Sequence, residues 1–125
     1  MAEDYLSAAH RHFEDAELLR EQARLDNAGH HYGIAGECAV KAVCIEEDGS
    51  RPNKHFDPDV KRDLRDAAIP NLSGLKGQRI LAVLSGLFAG WSVHDRYTAP
   101  GYTPSAQVDQ WRTDAERVLR LMQGF

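Results

Sequence analysis

Residues 32–43, Tyr-Gly-Ile-Ala-Gly-Glu-Cys-Ala-Val-Lys-Ala-Val, constrain the fold more than any other part of this chain. On a helical wheel they are small or apolar almost all round, so only a helix with partners on every side can bury them. Gly33, Ala35, Gly36 and Ala39 let neighbouring backbones come close. Yet the same helix carries one acid, Glu37, and one base, Lys41, four apart and in the order that favours a local ion pair. Charges in such a setting are costly to bury alone and are expected to be paired. About fifty residues later Trp91-Ser-Val-His-Asp-Arg-Tyr97 gathers aromatic, basic and acidic groups at a helix-to-loop transition. The two segments are expected to meet, as a polar staple or as a site.

Every other sustained period is helical too. Tyr5, Ala9, Phe13, Ala16, Leu19 and Ala23 predict an amphipathic first helix over residues 3–25. Asp26 or Asn27 can cap the central helix, which runs to about Glu47. Gly49–His55 reads as a loop, and Asp57-Pro58 opens a third helix that Pro70 ends. A fourth helix follows from Ser73 to Gly90 with Ile80, Leu84, Leu87 and Phe88 on its core side, then a loop over 91–103. Thr103-Pro104 starts the last helix, where Val108, Trp111, Ala115, Val118 and Met122 recur at helical spacing. No strand alternation persists. The expected fold is all-α, a single-domain bundle of about five helices over residues 1–125.

Composition narrows the class. With 27% charged and 42% hydrophobic residues the chain belongs among globular rather than disordered sequences. No apolar run approaches the ~18 residues of a membrane span and the first residues do not read as a signal peptide, so no membrane is expected and the cytoplasm is the expected compartment. Cys38 and Cys44 are six apart on one helix, point to different sides and cannot bridge. They read as core thiols, and no further soft ligands stand at finger-like spacing, so no metal or other cofactor is expected. The net charge of −4 is uneven: residues 49–79 hold 7 Lys/Arg against 4 Asp/Glu, whereas residues 1–48 hold 4 against 11. The mixed signs of that middle stretch fit a solvated helix better than a duplex-binding face.

Two uses of the polar residues follow. In the structural one, Arg96 returns from the loop to hold Glu37 in a forked contact, shielded by Trp91 and Tyr97. In the functional one, a cleft offers Arg96 and Lys41 to phosphate, Trp91 or Tyr97 as a stacking face, and His94 as an acid–base group near neutrality. Nucleotide or single-stranded RNA suits such a cleft. The other histidines, His10, His12, His30 and His31, read as solvated or capping groups, since no His-x3-His pair with a following acid occurs. Neither a glycine-rich phosphate loop nor a Gly-x-Ser-x-Gly elbow is present.

Tyr32, Gly36, Glu37, Cys38, Lys41 and Ala42 on the central helix, His55 in the next loop, and Trp91, Arg96 and Tyr97 resemble the HEPN family in order and separation, over residues 5–122. The resemblance implies an up-and-down helical core, a homodimer, a setting in prokaryotic toxin–antitoxin or defence loci, and a nucleotidyltransferase-like partner protein. HEPN ribonucleases use an arginine followed after four to six residues by histidine at the start of a late helix, without metal. This chain departs from that pattern: Arg24 with His30 or His31 has the spacing but falls between the first two helices, and no histidine follows Arg96. The leading expectation is therefore a binding or regulatory HEPN-like module with Glu37, Lys41, Trp91, Arg96 and Tyr97 as ligand-binding residues. The alternatives are a divergent endoribonuclease using His94 and Arg96 as catalytic residues, and a purely structural interaction protein.

Overall fold

The computed structural model describes residues 4–48, 78, 79, 82, 86–91 and 101–122. All regular structure among them is helical: α1 (Tyr5–Glu21), α2 (Leu25–Asp48) and α3 (Ser105–Met122). The predicted third helix lies outside the described residues, and of the fourth only positions 78, 79 and 82 are seen as helix. Among the described residues no helix is long and apolar enough to cross a membrane.

Local chemistry sets the ends of α1. The Asp4 carboxylate caps it, accepting from the Ser7 N–H at 3.0 Å and the Ser7 hydroxyl at 2.8 Å. At the other end Arg24 N–H bonds Leu19 C=O and Ala23 N–H bonds Arg20 C=O, the two bonds of a Schellman turn. Ala23 takes the left-handed position of that turn at φ 60°, where glycine is the usual occupant. The chain reverses over residues 22–24, so α1 and α2 form an antiparallel hairpin in which Phe13 meets Tyr32 edge to face and Tyr5 faces Lys41.

α2 is central, as its composition requires: residues 35–41 are buried without a break. What fills the space over its glycines is aromatic rings rather than neighbouring backbone. A Cβ on Gly29 would lie 2.9 Å from Trp111, one on Gly33 would fall inside the Trp91 indole, and one on Gly36 would fall inside the Phe88 ring. Three glycines at helical spacing thus seat three rings. α3 packs on α2 with Val108, Trp111, Ala115, Val118 and Met122 buried, the residues its period predicts. It reaches α1 through ion pairs, Arg20–Asp109 at 2.8 Å and Arg112–Glu17 at 2.6 Å.

Asp26 does not cap α2, which begins one residue earlier. Its carboxylate instead accepts the backbone N–H groups of Gly101 at 2.7 Å and Thr103 at 2.8 Å. It thereby fixes the entry to α3, where the Pro104 C=O accepts the first helical bonds from Gln107 and Val108.

Candidate functional site

His30, Gly33, Glu37 and Lys41 are three or four residues apart on α2 and form one stripe along it. Glu37 and Lys41 are 4% and 8% exposed, with Lys41 Nζ 3.5 Å from Glu37 Oε2. The ammonium also stands 5.4 Å from the centre of the Tyr5 ring on α1, within reach of a cation–π attraction. The pair is therefore a buried one, as the apolar neighbours of Glu37 and Lys41 in sequence lead one to expect. Such a pair sits in a low-dielectric setting where each charge depends on its partners.

Trp91 covers the same stripe. Its indole lies across Gly33 and stacks on His30, with ring centroids 6.0 Å apart and planes at 21°. Its Nε1 is buried without a hydrogen-bond partner among the described residues. The turn that delivers it is held from α3: Phe88, at a left-handed φ of 53°, donates its N–H to the buried Asp114 carboxylate at 2.9 Å, and Trp111 Nε1 donates to the Ala89 C=O at 3.0 Å. Gln110 Nε2 bonds the other Asp114 oxygen at 3.1 Å. Leu87 and Phe88 are core residues, as their spacing predicts, but they sit in this turn rather than in a helix reaching Gly90.

Of the residues singled out from sequence, Glu37, Lys41 and Trp91 are thus brought onto one face of α2. His94, Arg96 and Tyr97 lie outside the described residues, and with them the Glu37–Arg96 staple. The basic stretch 49–79 lies outside them too, apart from Gln78 and Arg79. Cys38 is buried and in no disulfide, and Trp111 is a core residue.

Histidines read as solvated or capping groups prove to be organised. His12 on α1 and His31 on α2 approach Nδ1 to Nδ1 at 3.0 Å, and His31 lies edge-on to His30, so His12, His31, His30 and Trp91 form a continuous row of rings. All three histidines are half-buried. Burial, then the neighbouring His31 and Arg11, hold the His12 pKa below its ordinary value against the opposing pull of Asp15. His12 lies eleven residues before Ala23 and His31 eight after it, so only the packing of the two helices of the hairpin brings them together. Isolated histidine spacing does not show it.

A second polar cluster ties the helices together below this row. Glu17 accepts from the Tyr32 hydroxyl at 2.6 Å and from Arg112 at 2.6 and 3.3 Å, while Arg112 also reaches Glu116 at 3.1 Å. Partial burial would raise the Glu17 carboxyl, but the Arg112 and Tyr32 hydrogen bonds outweigh it and leave the pKa lowered. Burial and the same carboxylate push the Tyr32 phenol up, so it stays a donor. Among the described residues no three metal-ligating side chains converge.

A helical hairpin with a third helix on its central member, and a polar stripe closed by a tryptophan, defines a small all-α domain of the bundle type. The family is settled by comparison: the model of the HEPN domain matches residues 2–125, and the chain belongs to that family. Neither the curated proteins nor the solved structures gave a significant match.

Proposed function

We propose that this chain is a HEPN binding or regulatory module, one domain over residues 1–125, that works as a homodimer and does not itself cut RNA. The observation that carries this reading is a HEPN match over residues 2–125 in a sequence with no histidine after Arg96. The late helix α3 contains arginines but no histidine, so the family's general acid–base group is missing from its expected place. The ligand class is a nucleotide or single-stranded RNA. Support comes from the α2 stripe, which carries the Glu37–Lys41 pair and, about two helical turns away over Gly33, a tryptophan whose ring N–H is unpartnered among the described residues. Arg96 and Tyr97 complete the proposed ligand-binding set, with Arg96 as the phosphate-binding group and Tyr97 as a second stacking face. The setting is a prokaryotic toxin–antitoxin or defence system, with a nucleotidyltransferase-like protein as partner.

The experiment is incubation of a mixed RNA pool with the purified protein in chelator-treated buffer. The wild type is compared with His94→Ala and Arg96→Ala once circular dichroism shows both variants folded. The expected result is intact RNA throughout, saturable binding of nucleotide or RNA by the wild type, and a scattering mass of two chains at micromolar concentration. Cleavage that disappears in the folded variants would replace this reading with a divergent ribonuclease, His94 moving protons and Arg96 stabilising charge on phosphorus. A monomer with no binding would leave an interaction protein whose polar pair only fixes the fold.

A further inference from the structure

We propose that His12 and His31 form a two-ligand site for a borderline divalent transition-metal ion, of the Zn2+, Ni2+ or Cu2+ class, clamping α1 to α2. The inference is independent of the reading above and uses residues outside the Glu37–Trp91 stripe. It begins from the approach of two imidazole nitrogens, donated by different helices, to 3.0 Å. Imidazole is a ligand these ions share. Two metal–nitrogen bonds of about 2.0–2.1 Å closing on that 3.0 Å separation subtend roughly 91–97°, and a tetrahedral angle needs the nitrogens to part to only about 3.3–3.4 Å.

The ring centroids are 5.2 Å apart and the planes differ by 24°, so the rings meet nearly edge to edge, nitrogen to nitrogen. Without an ion that contact is a hydrogen bond, one Nδ1 carrying the proton and the other accepting it. To bind an ion both Nδ1 atoms must be bare, which asks one ring to move its proton to Nε2, and each ring must turn by some tens of degrees so that the lone pairs converge beside the line joining them, because an ion at those bond lengths lies roughly 35–45° off that line. Both side chains are half-buried, so an ion reaches them from solvent and water fills the remaining positions. The groups around the pair are Arg11 and Asp15 on α1 and His30 on α2, whose ring centroid is 5.6 Å from that of His31. With two protein ligands the site is labile, suited to exchangeable rather than permanent metal.

The test is titration calorimetry of tag-free, chelator-treated protein with NiCl2 and with ZnCl2 at pH 7.5, with thermal melts on the same samples. One ion per chain should bind saturably and raise the melting temperature, since an ion that bridges two helices favours the folded state. His12→Gln and His31→Gln, each checked for folding, should weaken binding at least tenfold and abolish the melting shift. His10→Gln, which leaves the pair intact, should change neither. Absence of saturable binding by the wild type would overturn the site, and so would equal binding by the folded His12 and His31 variants.

Discussion

A methyl group decides whether the rings seated on α2 fit. Gly33 lies under Trp91 with no room for a Cβ, whereas a Cβ on Gly86 would meet nothing within 4 Å. Gly33→Ala must therefore displace a fully enclosed indole together with its stack on His30. It should cost about 1–3 kcal/mol, the range for overpacking a core, while Gly86→Ala should stay within about 1 kcal/mol of wild type. Chemical denaturation of the two variants checks this, and equal stabilities would mean that the indole does not occupy the groove over Gly33. Much of this scale was legible beforehand. A helix that places glycines at 29, 33 and 36 among apolar residues announces a close neighbour. It does not announce whether that neighbour is backbone or ring, because glycine leaves the same vacancy for either. That Glu37 and Lys41 are enclosed and need partners was legible for a simpler reason, since spacing and apolar surroundings both act within one helix, while the Arg96 contact expected for Glu37 lies outside the described residues.

At the scale of elements, the α1–α2 connection needs only three residues, and α3 is placed by side chains that lie far apart in the sequence. Asp26 supplies one of the attachments, accepting two backbone N–H groups from residues 101 and 103. Asp26→Ala leaves those donors to water or unpaired and should cost about 1–3 kcal/mol, as expected for hydrogen bonds to a charged group. Asp26→Asn keeps one acceptor oxygen and should recover part of that loss. Hydrogen exchange would show the change first at the Gly101 and Thr103 amides, and unchanged exchange there would contradict the tether. Asp26 or Asn27 reads as a helix cap in the sequence because a short polar residue before an apolar run is a local signal. The partners that actually claim Asp26 are about 75 residues away, and no local pattern encodes them. Separation in sequence hid the Glu17–Arg112 pair in the same way. Helix existence and core faces, by contrast, follow from periodicity inside each segment.

For the whole molecule, attachments of α3 to the hairpin converge on carboxylates: Glu17 holds Arg112, and Asp26 holds the chain entering α3. Both pKa values are lowered. In each case burial acts to raise them and is outweighed, for Glu17 by Arg112 and Tyr32, for Asp26 by the Gly101 and Thr103 amides. A carboxyl with a lower pKa in the folded state binds fewer protons there than in the unfolded chain, so stability rises with pH across the interval between the two values. The contribution is complete above the ordinary values of 4.5 for Glu17 and 3.8 for Asp26, and is lost as pH falls through the lowered ones. His12 acts in the same sense from 6.5 downward, because its folded form also resists protonation. In metal-free buffer the melting temperature should therefore be level above about pH 7, decline gently toward pH 5 and fall steeply below about 4.5. Glu17→Gln with Asp26→Asn should lower the plateau and flatten the steep limb, because neither amide titrates. His12→Gln should remove only the gentle decline. A steep limb unchanged in the double variant would show that carboxylates other than Glu17 and Asp26 govern acid unfolding.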